Sequence, residues 1–270
     1  MQKPIYELLM LYLNGEFKEY FSESDPFKVL QRLEGKVYRQ VKSRKTFQFE
    51  HNGMTYFAKL HDGVGWLEIF KNLIRLKLPV LGARVEWDAI KRLNQISIAT
   101  MNVVGFGQRG WNPAKIQSFI ITEDLRETIS LEEFCLEWTD SPPAHSIRRA
   151  LIKEVARIAS VMHSSGISHR DFYLCHFLLH KEAKHFPKLS LIDLHRAIIQ
   201  KRLSRRWIIK DIAGLYYSAM QIGLSKRDLL RFARHYSAED KELTYRNNIE
   251  FWAQVEKRAD NMFKRLGPAR

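Results

Sequence analysis

Gly166-Ile167-Ser168-His169-Arg170-Asp171-Phe172-Tyr173-Leu174-Cys175-His176-Phe177-Leu178-Leu179-His180 is the stretch on which the fold of this chain is decided. Upstream of it, Ile147, Leu151, Val155, Ile158 and Met162 recur at three- and four-residue intervals, which predicts a helix with one buried face. Gly166 follows where a helix end favours glycine, so His169-Arg170-Asp171 falls in a loop. Phe177 to His180 reads as a short buried strand, and Leu189 to Leu194 as a second that delivers Asp193 at its end. The order is helix, loop carboxylate, histidine five residues later, hairpin, second carboxylate.

That order suits phosphoryl transfer, which needs positioning and charge neutralisation more than covalent chemistry. Protein kinases use H-R-D-L-x-x-x-N followed by D-F-G in this role. Here His176 stands in place of the Asn, and Asp193-Leu194-His195 in place of D-F-G. Asp171 would orient an acceptor hydroxyl and take its proton late in the reaction. Asp193 would ligate Mg²⁺ on the phosphates of ATP, since Mg²⁺ prefers carboxylate oxygens. Imidazole is a poorer Mg²⁺ ligand than an amide oxygen, so His176 would meet the metal, a water on it, or a phosphate. An H-R-D triplet alone occurs by chance in many chains; the flanking helix and hairpin give it weight.

Such a site also needs a lysine on a strand, held by a glutamate on a helix. Thr46 to Glu50 and Met54 to Leu60 read as the two arms of a hairpin about Asn52-Gly53, a strong type I′ turn signal. Lys59 sits late on the second arm. It is either the nucleotide-pairing lysine or a solvated strand-end charge. Glu86 is its best partner, in the helical run Ala83 to Leu93, with Glu68 on the preceding helix a rival. The run Asn94 to Ile98 is expected to form a strand directly after that helix. No G-x-G-x-x-G is present. The segment Gln40 to Thr46 is expected as the loop over the phosphates, with Arg44, Lys45 and the Thr46 hydroxyl as contacts, or else as an ordinary basic hairpin tip. Gln117 to Leu125 is an apolar strand with polar residues at its end. Thr122 to Leu125, Glu123 included, is the expected hinge that binds adenine through its backbone.

Together these segments resemble the lipopolysaccharide core heptose(I) kinases of Gram-negative bacteria over nearly the whole chain. The resemblance is carried by Lys71-Asn72-Leu73 through Leu78 to Ala83, Glu86-Trp87, Phe119 to Leu125, Ser130-Leu131-Glu132, Gly166 to Asp171, Cys175 to His180, Ile192 to Ala197, Arg205-Arg206-Trp207 and Lys210 to Tyr216. It implies an α+β, two-lobed protein-kinase-like fold, with an antiparallel-sheet lobe over 1–122 and a mainly helical lobe over 123–270. It implies ATP- and Mg²⁺-dependent phosphorylation of a hydroxyl, position 4 being expected, on the first heptose of the inner core. Under it Asp171 is the base, Lys59 and Glu86 the nucleotide-positioning pair, Asp193 the metal ligand with His176 beside it, and Asp211 a brace for the catalytic loop. It further implies a cytoplasmic enzyme, peripheral at the inner membrane, acting on a lipid-linked acceptor.

Composition sets the outer bounds. Of 270 residues, 45% are hydrophobic, enough for a substantial core. No apolar run of membrane-spanning length appears, and Met1 to Glu7 lacks the signal-peptide pattern. The two cysteines, Cys135 and Cys175, argue against a disulfide framework or a zinc site. Cys175 reads as a small buried hydrophobe before it reads as a nucleophile. The formal charge of +14 points to a polyanionic partner. Lys201, Arg202, Arg205, Arg206 and Lys210 crowd the segment expected to bind the acceptor. A small acidic protein such as an acyl carrier protein is a second candidate partner, by charge steering. Trp66 to Lys77 is a basic amphipathic stretch, either core-packed or docked on a membrane surface. Nucleic acid is not expected, since no helix-turn-helix, RRM or zinc-finger signature is present. The alternatives left open are a kinase of another core sugar or of protein tyrosine, and a non-catalytic kinase-like scaffold that binds polyanions.

Overall fold

The computed structural model describes residues 10–41, 43–74, 82–182, 187–237 and 248–269. The chain divides into two compact units, Met1–Lys91 with Met101–Leu125, and Arg92–Thr100 with Arg126–Arg270.

The first unit is built on a six-stranded antiparallel sheet among its described residues. Its strands are β1 (Met10–Leu13), β2 (Lys36–Val41), β3 (Arg44–His51), β4 (Met54–Asp62), β5 (Val103–Arg109) and β6 (Gln117–Glu123), in the spatial order β1-β5-β6-β4-β3-β2. Period-two alternation sends Tyr56, Ala58 and Leu60 of β4 into a core with Phe47, Phe49, Phe119 and Ile121. Two short helices, Gly15–Tyr20 and Pro26–Arg32, close that core with Phe17, Phe27 and Leu30. Asn52 and Gly53 have φ of 49° and 71°, the two positive values a type I′ turn requires.

The loop expected over Gln40 to Thr46 is shorter, because β2 runs on to Val41 and β3 begins at Arg44. Arg44, Lys45 and Thr46 are therefore ladder residues, opposite His61, Leu60 and Lys59 of β4. Residues 94–98 form no strand. The helix Arg84–Gln95 absorbs the polar Asn94-Gln95 pair, and the chain then reverses with Ser97 at φ 56° and the Ile98 N–H donating to the Leu93 carbonyl at 3.0 Å. That reversal buries Ile98, and the next strand starts only at Val103.

The second unit is mainly helical. The helix His145–Ser164 buries Leu151, Val155, Ile158 and Met162 as the periodicity predicts, while Ile147 stays exposed. It packs against Lys226–Tyr236, and Arg205–Ala219 packs against Ile249–Leu266. Strands Thr128–Ser130, Phe177–His180 and Leu189–Leu191 form a small antiparallel sheet. Gly166, past the first helix's end, has φ 80°, and a Cβ there would lie 1.9 Å from the Gln200 carbonyl oxygen, so only glycine fits. One sheet-built unit and one mainly helical unit make up the α+β, kinase-like architecture the sequence predicts.

No helix among the described residues is long and apolar enough to cross a membrane. In the helix Trp66–Ile74, Ile69 is buried while Trp66, Leu67, Phe70 and Ile74 are exposed. Core packing thus accounts for little of that apolar face. Residues 75–81, and with them Arg75, Leu76 and Lys77 and the Leu78 to Leu81 part of the resemblance, lie outside the described residues, as do the side chains of Glu68, Asn72 and Leu73.

Candidate active site

In the first unit, Lys59 is placed by a central strand. It lies on β4 between Thr46 of β3 and Ile120 of β6, so its backbone is laddered on both sides. Its Nζ donates to Glu86 Oε1 at 2.6 Å. Glu86 is 1% exposed, in the first turn of its helix. Two contacts hold that helix in register. The Ala83 N–H donates to Ser118 Oγ at 2.9 Å, and Trp87 stacks on Phe106 with ring centroids 4.9 Å apart. Glu86, the partner expected from the sequence, is thus brought to Lys59, while the side chain of Glu68 lies outside the described residues. Glu123 closes β6, opposite Tyr56, and its N–H donates to the Asn102 carbonyl at 3.0 Å.

In the second unit, Asp211 pins the loop that carries Asp171. Its carboxylate accepts the backbone N–H groups of His169 and Arg170 at 2.8 Å each, and lies 3.3 Å from His163 Nε2. Burial works against its charge, but hydrogen bonding and charge from His163 outweigh that and hold its carboxyl below the usual range. His163 is fixed in turn through Nδ1 to the Tyr236 hydroxyl at 2.8 Å. Arg170 is thereby held at φ 70°, a backbone state costly for a non-glycine residue. Asp211 is thus the brace expected of it.

The His169 imidazole donates from Nε2 to the Ile192 carbonyl at 2.8 Å, tying the loop to the strand that leads to Asp193. Burial pushes its pKa below the ordinary histidine value. His176 donates from Nδ1 to the backbone carbonyl of Asp171 at 2.6 Å. His176 Nε2 lies 3.6 Å from Asp193 Oδ2. An imidazole nitrogen and a carboxylate oxygen at that spacing are groups that could hold a divalent cation or a water bound to one. Asp193 Oδ1 accepts from His195 Nδ1 at 2.6 Å. The Asp193 backbone has φ 61°, and the strand expected over Leu189 to Leu194 ends at Leu191, three residues earlier. Among the described residues no three His, Cys, Asp or Glu side chains cluster to cage a metal. Mg²⁺ does not require a cage, because it binds through one or two carboxylates with phosphates and water completing the shell.

The sequence left Arg196 without a role. Its Nη1 donates to both Asp171 oxygens, at 2.7 and 2.9 Å. Its position three residues after Asp193 is visible in the sequence, but its contact with Asp171 depends on the turn between them. Burial pushes the Cys175 thiol up to about 11 and the Cys135 thiol up to about 12, away from the thiolate form a nucleophile needs.

A lysine–glutamate pair on a strand and helix in one unit, with a carboxylate-braced H-R-D loop followed by an Asp two residues past a strand in the other, defines a kinase-like phosphotransferase. The model of the lipopolysaccharide kinase (Kdo/WaaP) family matches residues 28–236. The lipopolysaccharide core heptose(I) kinase WaaP of Pseudomonas aeruginosa is 45% identical over 95% of this chain and 97% of its own length. The protein of the same name from Escherichia coli is 44% identical over 95% of this chain and 98% of its own. A solved structure described as WaaP in complex with acyl carrier protein superposes with a TM-score of 0.81 at 40% identity, over 94% of this chain and 99% of that one. The chain belongs to the lipopolysaccharide kinase (Kdo/WaaP) family, whose members are phosphotransferases with an alcohol acceptor.

Proposed function

We propose that this protein transfers the γ-phosphoryl group of ATP to a hydroxyl, position 4 being expected, on the first heptose of the lipopolysaccharide inner core. The observation that supports this most is 45% identity, over 95% of the chain, to a protein named as a heptose(I) kinase. In the mechanism, Lys59 neutralises nucleotide phosphates, and Glu86 holds its ammonium in place at 2.6 Å. Glu123 lies in the segment that meets adenine through its backbone, and Arg44, Lys45 and Thr46 supply polar groups along β3. Asp171 orients the acceptor hydroxyl and receives its proton as the new O–P bond forms. Arg196 holds both Asp171 oxygens, fixing the carboxylate in one orientation. Asp193 and His176 are the residues that would hold Mg²⁺. When bound, the ion neutralises charge on the phosphate oxygens. His195 orients Asp193, and Asp211 keeps the loop rigid.

The test is one assay with ATP, Mg²⁺ and core glycolipid lacking phosphate, the product mapped by fragmentation. Phosphate on the first heptose is the expected result. Phosphate on another sugar, or on tyrosine only, would replace the acceptor. No transfer at all, with polyanions still bound, would leave a non-catalytic scaffold.

Two features support a peripheral, carrier-assisted setting. The exposed Trp66, Leu67, Phe70 and Ile74 suit the cytoplasmic face of the inner membrane, where a lipid-linked acceptor would reside. The second unit also contains an apolar cavity of about 710 Å³, walled by Leu151, Val155, Ile212, Leu215, Phe232 and Trp252. With a charge of +14, the chain is suited to an acidic acyl carrier protein whose acyl chain enters that cavity. Replacing Leu215 by Trp should weaken capture of an acylated carrier and leave capture of the unacylated carrier unchanged. Equal capture of the acylated form would remove the cavity from this account.

A further inference from the structure

Beside Asp171, the second unit gathers more positive charge than the transfer of a single proton calls for. Three cations crowd the indole of Trp207. Arg206 lies 4.7 Å, Arg170 5.1 Å and Lys210 5.9 Å from the ring centroid. Among the described residues, none of the three side chains has an ion pair or a side-chain hydrogen bond, and the carboxylate of Asp171 is already engaged by Arg196. Arg170 is only 9% exposed, yet its buried Nε has no hydrogen-bond partner. A guanidinium N–H in that state is costly unless something accepts from it. Ser204 precedes the helix Arg205–Ala219 without a side-chain cap, so the first turn of a fifteen-residue helix adds its own positive end.

Lys210 reports on the same surplus. Burial, with Arg170 and Arg196 nearby, outweighs Asp171 and lowers its pKa to about 8. Indole faces attract cations, but three around one ring, with no carboxylate joined to them, is an arrangement that waits for an anion.

The geometry points to an oxyanion-binding site formed by Arg170, Arg206 and Lys210 on Trp207, which grips a carboxylate or phosphate of the acceptor complex next to the hydroxyl at Asp171. The identity of that anion rests on the kinase reading above; the site itself does not. Two sources share this chemistry, a substituent already on the acceptor sugar chain and the phosphoryl group being delivered to it.

The test uses the full chain without nucleotide. Thermal unfolding is followed against rising inorganic phosphate, and separately against gluconate as a carboxylate probe, for wild type, Lys210→Met, Lys210→Arg and Arg206→Met. Lys153→Met, on the exposed face of the helix His145–Ser164, is the charge control. Wild type, Lys210→Arg and Lys153→Met should show saturable stabilisation. Lys210→Met and Arg206→Met should need about ten- to hundredfold more anion, as expected for the loss of a charge-assisted hydrogen bond. Arg206 is exposed, so its variant reads out the site even where Lys210→Met folds poorly. No saturable response in wild type, or identical curves in Arg206→Met and wild type, would overturn the site. Kinetics then separates the sources. A rise in acceptor KM with kcat kept marks an acceptor substituent, and a fall in kcat with KM kept marks the group in transfer. Absence of transfer by wild type would refute the kinase reading and leave the binding curves intact.

Discussion

Lys59→Met separates stability from catalysis, because Lys59 holds a carboxylate with no access to water. Glu86 is 1% exposed, its Oε1 is 2.6 Å from the lysine, and its Oε2 has no hydrogen-bond partner. Removing one partner of a buried ion pair costs about 3–5 kcal/mol. The Lys59 side chain is 16% exposed, so water relieves part of that and the lower figure, about 3 kcal/mol, applies. For a chain of this size that is a fall of about 6–12 °C in melting temperature. The double variant Lys59→Met, Glu86→Leu removes both charges and should recover most of the loss, because an apolar pair replaces the ionic one. Neither variant should transfer phosphate. The assay is thermal unfolding of wild type, single and double variants at one pH and salt, with transfer measured on the same samples. A single variant as stable as wild type, or a double variant no more stable than the single, would refute the reasoning. Transfer by the double variant would remove Lys59 from the nucleotide.

Asp211→Asn should cost about 2–4 kcal/mol, since one amide face cannot accept from both backbone N–H groups and the other presents a donor to a donor; an unchanged urea midpoint would contradict this. His169 is pushed below its ordinary pKa, so the folded state binds fewer protons than the unfolded chain below about pH 6.5. Stability is therefore full above that pH and falls as pH drops, and His169→Gln should flatten the slope between pH 7.5 and 5; a wild-type midpoint that rises on acidification would have the wrong sign. Chelation of divalent metal should stop transfer without lowering the melting temperature, because the described residues form no metal cage; unfolding by EDTA would point to a structural ion instead.

Much of this site is visible in the sequence because local chemistry decides it. Asn52-Gly53 fixes a type I′ hairpin, and that fixes which face of β4 Lys59 occupies. The helical period marks the buried side of His145–Ser164 and so the entry to the H-R-D loop. Glu86 is preferred to Glu68 in the sequence because Glu68, flanked by Trp66, Leu67, Ile69 and Phe70, reads as the polar edge of its helix. What escaped depends on contacts between distant residues. Arg196 reaches Asp171 only because the chain turns through Asp193 at φ 61°. The extent of the β2–β3 hairpin is not legible, because Arg44, Lys45 and Thr46 look like a basic tip in sequence, yet the ladder with β4 recruits them. The strand expected at 94–98 failed because helix propensity carried through Gln95 and burial of Ile98 needed a reversal. The cluster on Trp207 is partly foreseen as a basic segment. Only the fold adds Arg170 to it, from 36 to 40 residues away in the chain, and shows its Nε unpartnered.

The most direct measurement is single-turnover transfer from γ-labelled ATP to dephosphorylated core glycolipid by Asp171→Asn, with nucleotide affinity measured on the same preparation. Loss of the proton acceptor should slow transfer about 10²- to 10⁴-fold while ATP binds as it does to wild type. Transfer at close to the wild-type rate would contradict the role given to Asp171, and with it the chemistry assigned to the loop.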